Sequence, residues 1–209
     1  MKISVVIPTY NEENAIGEVV RGVPHKLVHE IIVVDNASTD DTANQAALAG
    51  ARATGNADII VFLDGDRSDN PAQLEAIAGP VIYDRSDLVI GSRIKGTLDK
   101  GAMPLHGRVG NRLIVWLLRV LYGTQITDIG SFRAIKAKTL FDLNMEQMTY
   151  GWPIEMVVKS ARRGLRIQSV PIHYRRRIGE SKVSGTLKGT VLATFYMFFV
   201  PLKYLFTKV

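Results

Sequence analysis

Ile59-Ile60-Val61-Phe62-Leu63-Asp64-Gly65-Asp66 is the stretch on which the fold turns. Five apolar residues end abruptly in two carboxylates spaced i, i+2. A short apolar run bounded by turn residues reads as a strand buried on both faces. Residues i and i+2 of a strand point the same way. If the strand closes at Leu63, the Asp64/Asp66 pair lies at or just past its carboxyl edge, where open α/β sheets bind ligands. Paired hard oxygen donors suit Mg²⁺ or Mn²⁺, ions commonly shared with substrate phosphates. Asp-Gly-Asp also makes an ordinary turn after a strand, so the neighbouring strand ends must be read before the pair is given a role.

Working outward, the same arrangement recurs. Residues 3–7 form an apolar run closed by Pro8-Thr9-Tyr10-Asn11-Glu12, and residues 30–34 form another closed by Asp35-Asn36. Helices are expected over 11–20, with Asn11 or Asn14 as cap, and over 42–49, capped by Asp40 or Ser38. Pro71 suits the first turn of a further helix. A strand over 88–90 ends in Gly91-Ser92-Arg93. Alternation of strand and helix with short connections predicts an α/β fold, a mostly parallel sheet flanked by helices. In such a sheet the three polar clusters share one edge, which is the sequence's own evidence for a site.

The second half predicts helices over 108–121, 136–143 and 153–163, with Gly164 past the end of the last. It also predicts a strand over 132–135, strands over 165–170 and 172–176 separated by Pro171, and an apolar helix over 187–199 interrupted by Pro201. The apolar run of 191–200 is short for a membrane span of about 20 residues. Flanked by Lys182, Lys188, Lys203 and Lys208, it suits a membrane interface, or equally a core or dimer contact. The chain therefore divides into one domain over 1–186 and an apolar, basic helical tail over 187–209.

Composition narrows the chemistry. The 209 residues contain no cysteine, which excludes disulfides, a thiolate nucleophile and a zinc–thiolate site. The net charge of +6 is unevenly placed: residues 1–158 hold 15 Lys/Arg and 19 Asp/Glu, a net of −4, whereas residues 159–209 hold 11 Lys/Arg and only Glu180, a net of +10. A basic C-terminal part points to an anionic lipid or phosphorylated ligand. Without a recognisable nucleic-acid module, nucleic acid is not the expected partner. Met1-Lys2 leads straight into a strand-like run, so a cytoplasmic location is expected.

Taken together, Val5-Val6-Ile7-Pro8-Thr9-Tyr10-Asn11-Glu12, Ile31-Ile32-Val33-Val34-Asp35-Asn36-Ala37-Ser38-Thr39-Asp40 and Phe62-Leu63-Asp64-Gly65-Asp66 resemble glycosyltransferase family 2, with its nucleotide-sugar-binding GT-A fold. Gly91-Ser92-Arg93, Gly110-Asn111, Asp128-Ile129-Gly130-Ser131-Phe132-Arg133 and Gly179-Glu180-Ser181-Lys182 extend the resemblance over nearly the whole chain. The last two resemble the dolichol-phosphate mannose synthase and polyprenyl-phosphate glycosyltransferase branch.

The resemblance implies an inverting, metal-dependent transfer of a hexose from GDP- or UDP-hexose to a polyprenyl phosphate, on the inner face of the membrane. It implies that Pro8, Tyr10, Glu12 and Asp35 bind the nucleoside. Asp64 and Asp66 would hold the metal and donor diphosphate, and Arg93, Arg177 and Lys182 would face phosphates. Asp128 would lie near the acceptor, and Asp128 or Glu155 would be the base if that acceptor were a hydroxyl. Two departures stand out. Asp35 and Asp64 are only 29 positions apart, shorter than the family's spacing, so one sheet strand and a donor-side loop are expected to be missing near Gly50-Ala51. Ser68 stands where mannose synthases often carry glutamine, with Ser68 or Asp69 as substitutes.

Overall fold

The structure, a computed structural model, describes residues 1–50, 57–147, 149–179 and 187–207, except the side chains of 187 and 188. In chain order the elements are β1 (Ile3–Thr9), α1 (Ile16–Gly22), β2 (Glu30–Asp35), α2 (Thr42–Leu48) and β3 (Ile59–Phe62). A 3-10 turn (Pro71–Gln73) then leads into α3 (Leu74–Ile82). Next come β4 (Leu88–Leu98), α4 (Leu105–Tyr122), β5 (Arg133–Lys136), α5 (Ala137–Asp142), α6 (Trp152–Arg162), β6 (Ile167–Tyr174) and α7 (Leu187–Phe206).

The strands form one sheet in the order β2-β1-β3-β5-β4-β6. β1 runs parallel to β2 and β3, and β4 parallel to β6; β5 is antiparallel to both its neighbours, β3 and β4. The continuous apolar runs are explained by burial on two sides. Ile59 and Val61 of β3 join Val89, Ala134 and the faces of α1 and α3 in one core. Ile60 and Phe62 pack with Leu88, Ile90, Ile135 and helices α4, α6 and α7 in the other. Each fully buried aliphatic side chain contributes roughly 1.5–3 kcal/mol.

Several expectations shift. Pro8 lies inside β1, paired with Val34 of β2. Its missing N–H costs nothing there, because pairing with β3 has already ended at Val6. The first helix begins at Ile16, and Asn11 takes a left-handed φ of 53° instead of capping it. β4 continues past Arg93 to Leu98, and β6 is one strand through Pro171, not two. Pro171 is tolerated because β6 is the sheet edge and the β4–β6 register shifts between Ser92 and Thr97. At that shift Gly96 is required: a Cβ there would lie 1.8 Å from the Ile172 carbonyl oxygen.

α7 passes through Pro201 to Phe206, held by Val200 and Tyr204 in the second core and by the Tyr122 hydroxyl, which donates to the Pro201 carbonyl. The segment expected as a tail therefore packs on α4 and α6. The missing-strand expectation falls at residues 51–56, outside the described residues; the described sheet ends at β2 on one side and β6 on the other.

Candidate active site

Because β1, β2 and β3 are parallel, their polar ends converge. A cleft of about 690 Å³ opens there, lined by Pro8 at the end of β1, Tyr10 and Glu12 after it, Asn36 after β2, Asp64 and Asp66 after β3, and Arg93 and Arg177. That volume is typical of a small-molecule site. Reversed β5 matters here: its amino-terminal end lies at the carboxyl edge of β3, so the loop before it delivers Ser131 to the carboxylates. Gly65 lets the turn tuck under β1, since a Cβ would stand 2.6 Å from the Thr9 methyl.

The carboxylates are crowded. Ser131 Oγ lies 2.7 Å from Asp64 Oδ2 and 3.1 Å from Asp69 Oδ2. One hydroxyl proton cannot serve both, so the second carboxyl needs a proton or a cation. Burial, followed by the Asp66 charge, pushes Asp64 up. Burial, followed by the Asp64 charge, pushes Asp69 up to about 8. A divalent cation would relieve the same excess of negative charge, and an all-oxygen donor set suits Mg²⁺ or Mn²⁺. Among the described residues no three Asp, Glu or His side chains enclose an ion, so the protein would supply only part of its shell. Asp69 thus stands beside the pair. Ser68 is fully buried, its N–H donating to Asp66 Oδ1 at 2.9 Å, and its hydroxyl has no partner among the described residues.

Two cations face these acids. The chain after β6 runs back along 66–69: Arg175 N donates to the Ser68 carbonyl and Ile178 N to the Asp66 carbonyl. This brings Arg177 to Asp66, at 2.8 Å. Arg93 is held on the other side. Its N–H and Nε donate to Asp128 Oδ2 at 2.7 and 2.9 Å, and its Nη2 donates to Oδ1 at 2.6 Å. Its guanidinium also lies 5.2 Å from the Tyr174 ring centre. Asp128 is fully buried, and the Ile129 N–H is a fourth donor to it, at 2.8 Å.

Asp128 therefore sits beneath the cleft, with both oxygens committed to holding Arg93. Asp35 does not line the cleft; it accepts from Ser38 N at 3.2 Å and orders the turn. Asn11 ties that turn to β1, its N–H donating to Ser38 Oγ and its Oδ1 accepting from Thr39 N, both at 2.9 Å. Glu155 is fully buried between α6 and α7 and accepts from the N–H groups of Glu146 and Gln147 at 2.9 and 2.7 Å. Lys182 lies outside the described residues, as do Glu180 and Ser181.

Sequence reasoning gave no role to Ser131, Tyr174 or Asn111. Asn111 lines the cleft from α4, and its Oδ1 accepts from Ile129 N at 3.2 Å, fixing the loop that carries Asp128. An Asn spaced to share a helical face with Ile114 and Leu118 is the signal that could have found it.

The sequence model described as glycosyl transferase family 2 matches residues 4–49. An uncharacterized glycosyltransferase of Mycobacterium tuberculosis is 32% identical over 211 residues, covering 91% of this chain and 94% of the relative. The undecaprenyl-phosphate mannosyltransferase of Micrococcus luteus is 32% identical over 228 residues, covering 90% of each. Among solved structures, glucosyl-3-phosphoglycerate synthase from Mycobacterium tuberculosis, in complex with Mn²⁺, UDP-glucose and phosphoglyceric acid, superposes with a TM-score of 0.77. It is 23% identical, covers 97% of this chain and 79% of that one, and shares the fold.

Proposed function

The chain belongs to glycosyltransferase family 2, and from that premise we propose that it transfers a hexose, with inversion, from GDP- or UDP-hexose to a polyprenyl phosphate. One observation carries the choice of acceptor: the two carboxylates that the family resemblance offers as bases, Asp128 and Glu155, are both buried and saturated with hydrogen-bond donors. A hydroxyl acceptor must lose a proton to a base; a phosphate monoester is already anionic at neutral pH and needs none. The relation to an undecaprenyl-phosphate mannosyltransferase supports the same acceptor.

In this reading Pro8, Tyr10 and Glu12 bind the nucleoside, with Asp35 shaping the turn beside it. Asp64 and Asp66 would hold Mg²⁺ or Mn²⁺ beside the donor diphosphate. When bound, the ion neutralises charge on the departing nucleoside diphosphate. Arg177 and Arg93 would face the phosphates, and Lys182 is assigned the same role from the sequence alone. The anomeric carbon loses its bond to the diphosphate oxygen and gains one to the acceptor phosphate oxygen on the opposite face. Asp128 keeps Arg93 aimed, so the guanidinium needs no reorganisation as charge moves. A cytoplasmic location, peripheral on the inner face of the membrane, follows from such an acceptor.

The test offers labelled nucleotide sugars, with Mn²⁺, alongside a short polyprenyl phosphate, phosphoglycerate, or free sugars and glycans. Product on the prenyl phosphate is expected. Product only on hydroxyl acceptors, or only on phosphoglycerate, overturns the reading.

A further inference from the structure

α4 exposes an apolar stripe that no core explains. Leu105, Val109, Leu113, Trp116 and Val120 are all exposed, Leu105 at 76% and Trp116 at 61%. At about 100° per residue these positions share one face. The residues α4 buries, Asn111, Ile114 and Leu118, lie on the opposite one. Arg108, Arg112 and Arg119, all exposed, line one flank of the stripe.

α7 repeats the pattern. Val191, Phe195, Phe199 and Leu202 are exposed, while Val200 and Tyr204 are buried. The two helices pack on each other and bury their inner faces in the same core. Their inner margins also wall the cleft, through Asn111 and His106 of α4 and Thr194 and Met197 of α7.

We propose that the outer faces of α4 and α7 together form a docking surface for an anionic lipid bilayer, which seats the cleft mouth at the headgroup level. Charge selects this occupant over a second copy of the chain. From Lys100 to Thr127, and from Leu187 to Phe206, there is not one acidic residue. Self-association through this face would stack arginines on arginines, whereas anionic headgroups pair with them. Apolar residues buried at the acyl boundary beside basic flanks is the arrangement of interfacial helices. Gly189–Phe206 is also long and apolar enough to cross a membrane by length and composition. However, its buried contacts with α4 and α6 hold it along the protein. The inference deepens the lipid-phosphate reading and rests on it for its purpose, but its evidence is the exposed face itself.

Co-sedimentation of the full chain with phosphatidylcholine vesicles, with and without phosphatidylglycerol, tests the surface. Binding that requires phosphatidylglycerol and weakens with salt is expected. Trp116→Ser with Val120→Ser should lower partitioning at least ~tenfold, given the apolar area lost, while melting as the parent does. Arg108→Gln, Arg112→Gln and Arg119→Gln together should abolish the preference for phosphatidylglycerol. Unchanged partitioning of the Trp116/Val120 variant overturns the proposal. So does a dimer, seen by sedimentation velocity, that this variant dissolves. Turnover of a water-soluble short-chain prenyl phosphate without vesicles separates the two readings. If that turnover persists while vesicle binding fails, only the docking surface falls. If vesicles bind through this face but no prenyl product forms, the acceptor reading falls and the surface stands.

Discussion

At the scale of single residues, the site is a set of acids held short of balance by two arginines. Asp66 accepts from Ser68 N and pairs with Arg177, so removing it takes away both a proposed metal ligand and the anchor of a phosphate-facing cation. Asp66→Ala should weaken Mn²⁺-dependent nucleotide binding by more than the ~10–100-fold seen for outer-shell ligands, with an unaltered circular dichroism spectrum. Isothermal titration with and without Mn²⁺ reads this out; undiminished metal-dependent binding would falsify the assignment. Asp128 has a different role. Asp128→Asn should lower kcat/KM by ~10²–10³, the scale of a lost preorganised donor, because Arg93 loses its aim. If Asp128 acts only through Arg93, adding Arg93→Ala to Asp128→Asn should cost no more than Arg93→Ala alone. Independent, multiplying losses in steady-state kinetics would instead make Asp128 a participant in its own right.

At the scale of elements, prolines were the misleading signal. Pro8, Pro171 and Pro201 each read as an end, yet each sits inside an element. The sequence shows the missing N–H but not the neighbour that makes it harmless: a pairing already ended, a sheet edge, or a helix held by buried Val200 and Tyr204. Strand ends bearing Asp64, Asp66, Tyr10 and Glu12 were legible because local pattern and parallel topology suffice to place them. Ser131 was not, since its meeting with Asp64 and Asp69 depends on a reversed strand.

The same blindness applied to Glu155, which clamps α6 to α7. Tyr204 donates to its Oε1 at 2.5 Å and Lys159 Nζ lies 3.0 Å away. Burial pushes this carboxyl up, but hydrogen bonds from Tyr204 and from the Gln147 and Glu146 N–H groups outweigh it and hold it below its ordinary value. The clamp is therefore at full strength above the ordinary carboxylate range and is lost as pH falls through the lowered value. Glu155→Gln should destabilise the protein by about 3 kcal/mol and make its acid unfolding shallower, with turnover per folded molecule unchanged. Denaturant melts alongside activity check this; a collapse of turnover in the folded fraction would make Glu155 a base.

At the scale of the molecule, the carboxylate cluster costs stability that ligands should return. A metal ion with a nucleoside diphosphate binds only the folded state, and at a hundredfold excess over Kd contributes about 2.7 kcal/mol. With ~2–4 °C per kcal/mol for a chain of this size, Mn²⁺ plus GDP or UDP should raise Tm by roughly 5–10 °C in a thermal-shift scan, and neither base should do so without the metal. The sheet's order carries a different consequence. β2, β1 and β3 form one parallel group and β4 with β6 another, and among the described strands only four-residue β5 is paired to both. Arg133 opens that strand, fully buried, with its guanidinium spent on the carbonyls of Ile129, Gly130 and Pro153. β5 is thus a zip: its pairing is complete only when both groups are present, and opening it would carry Ser131 away from Asp64. Non-local closure of this kind slows folding. It also means that the half carrying Pro8, Tyr10, Glu12, Asp64 and Asp66 gains Arg93 and Arg177, the cations that face its acids, only when the second half is fastened to it.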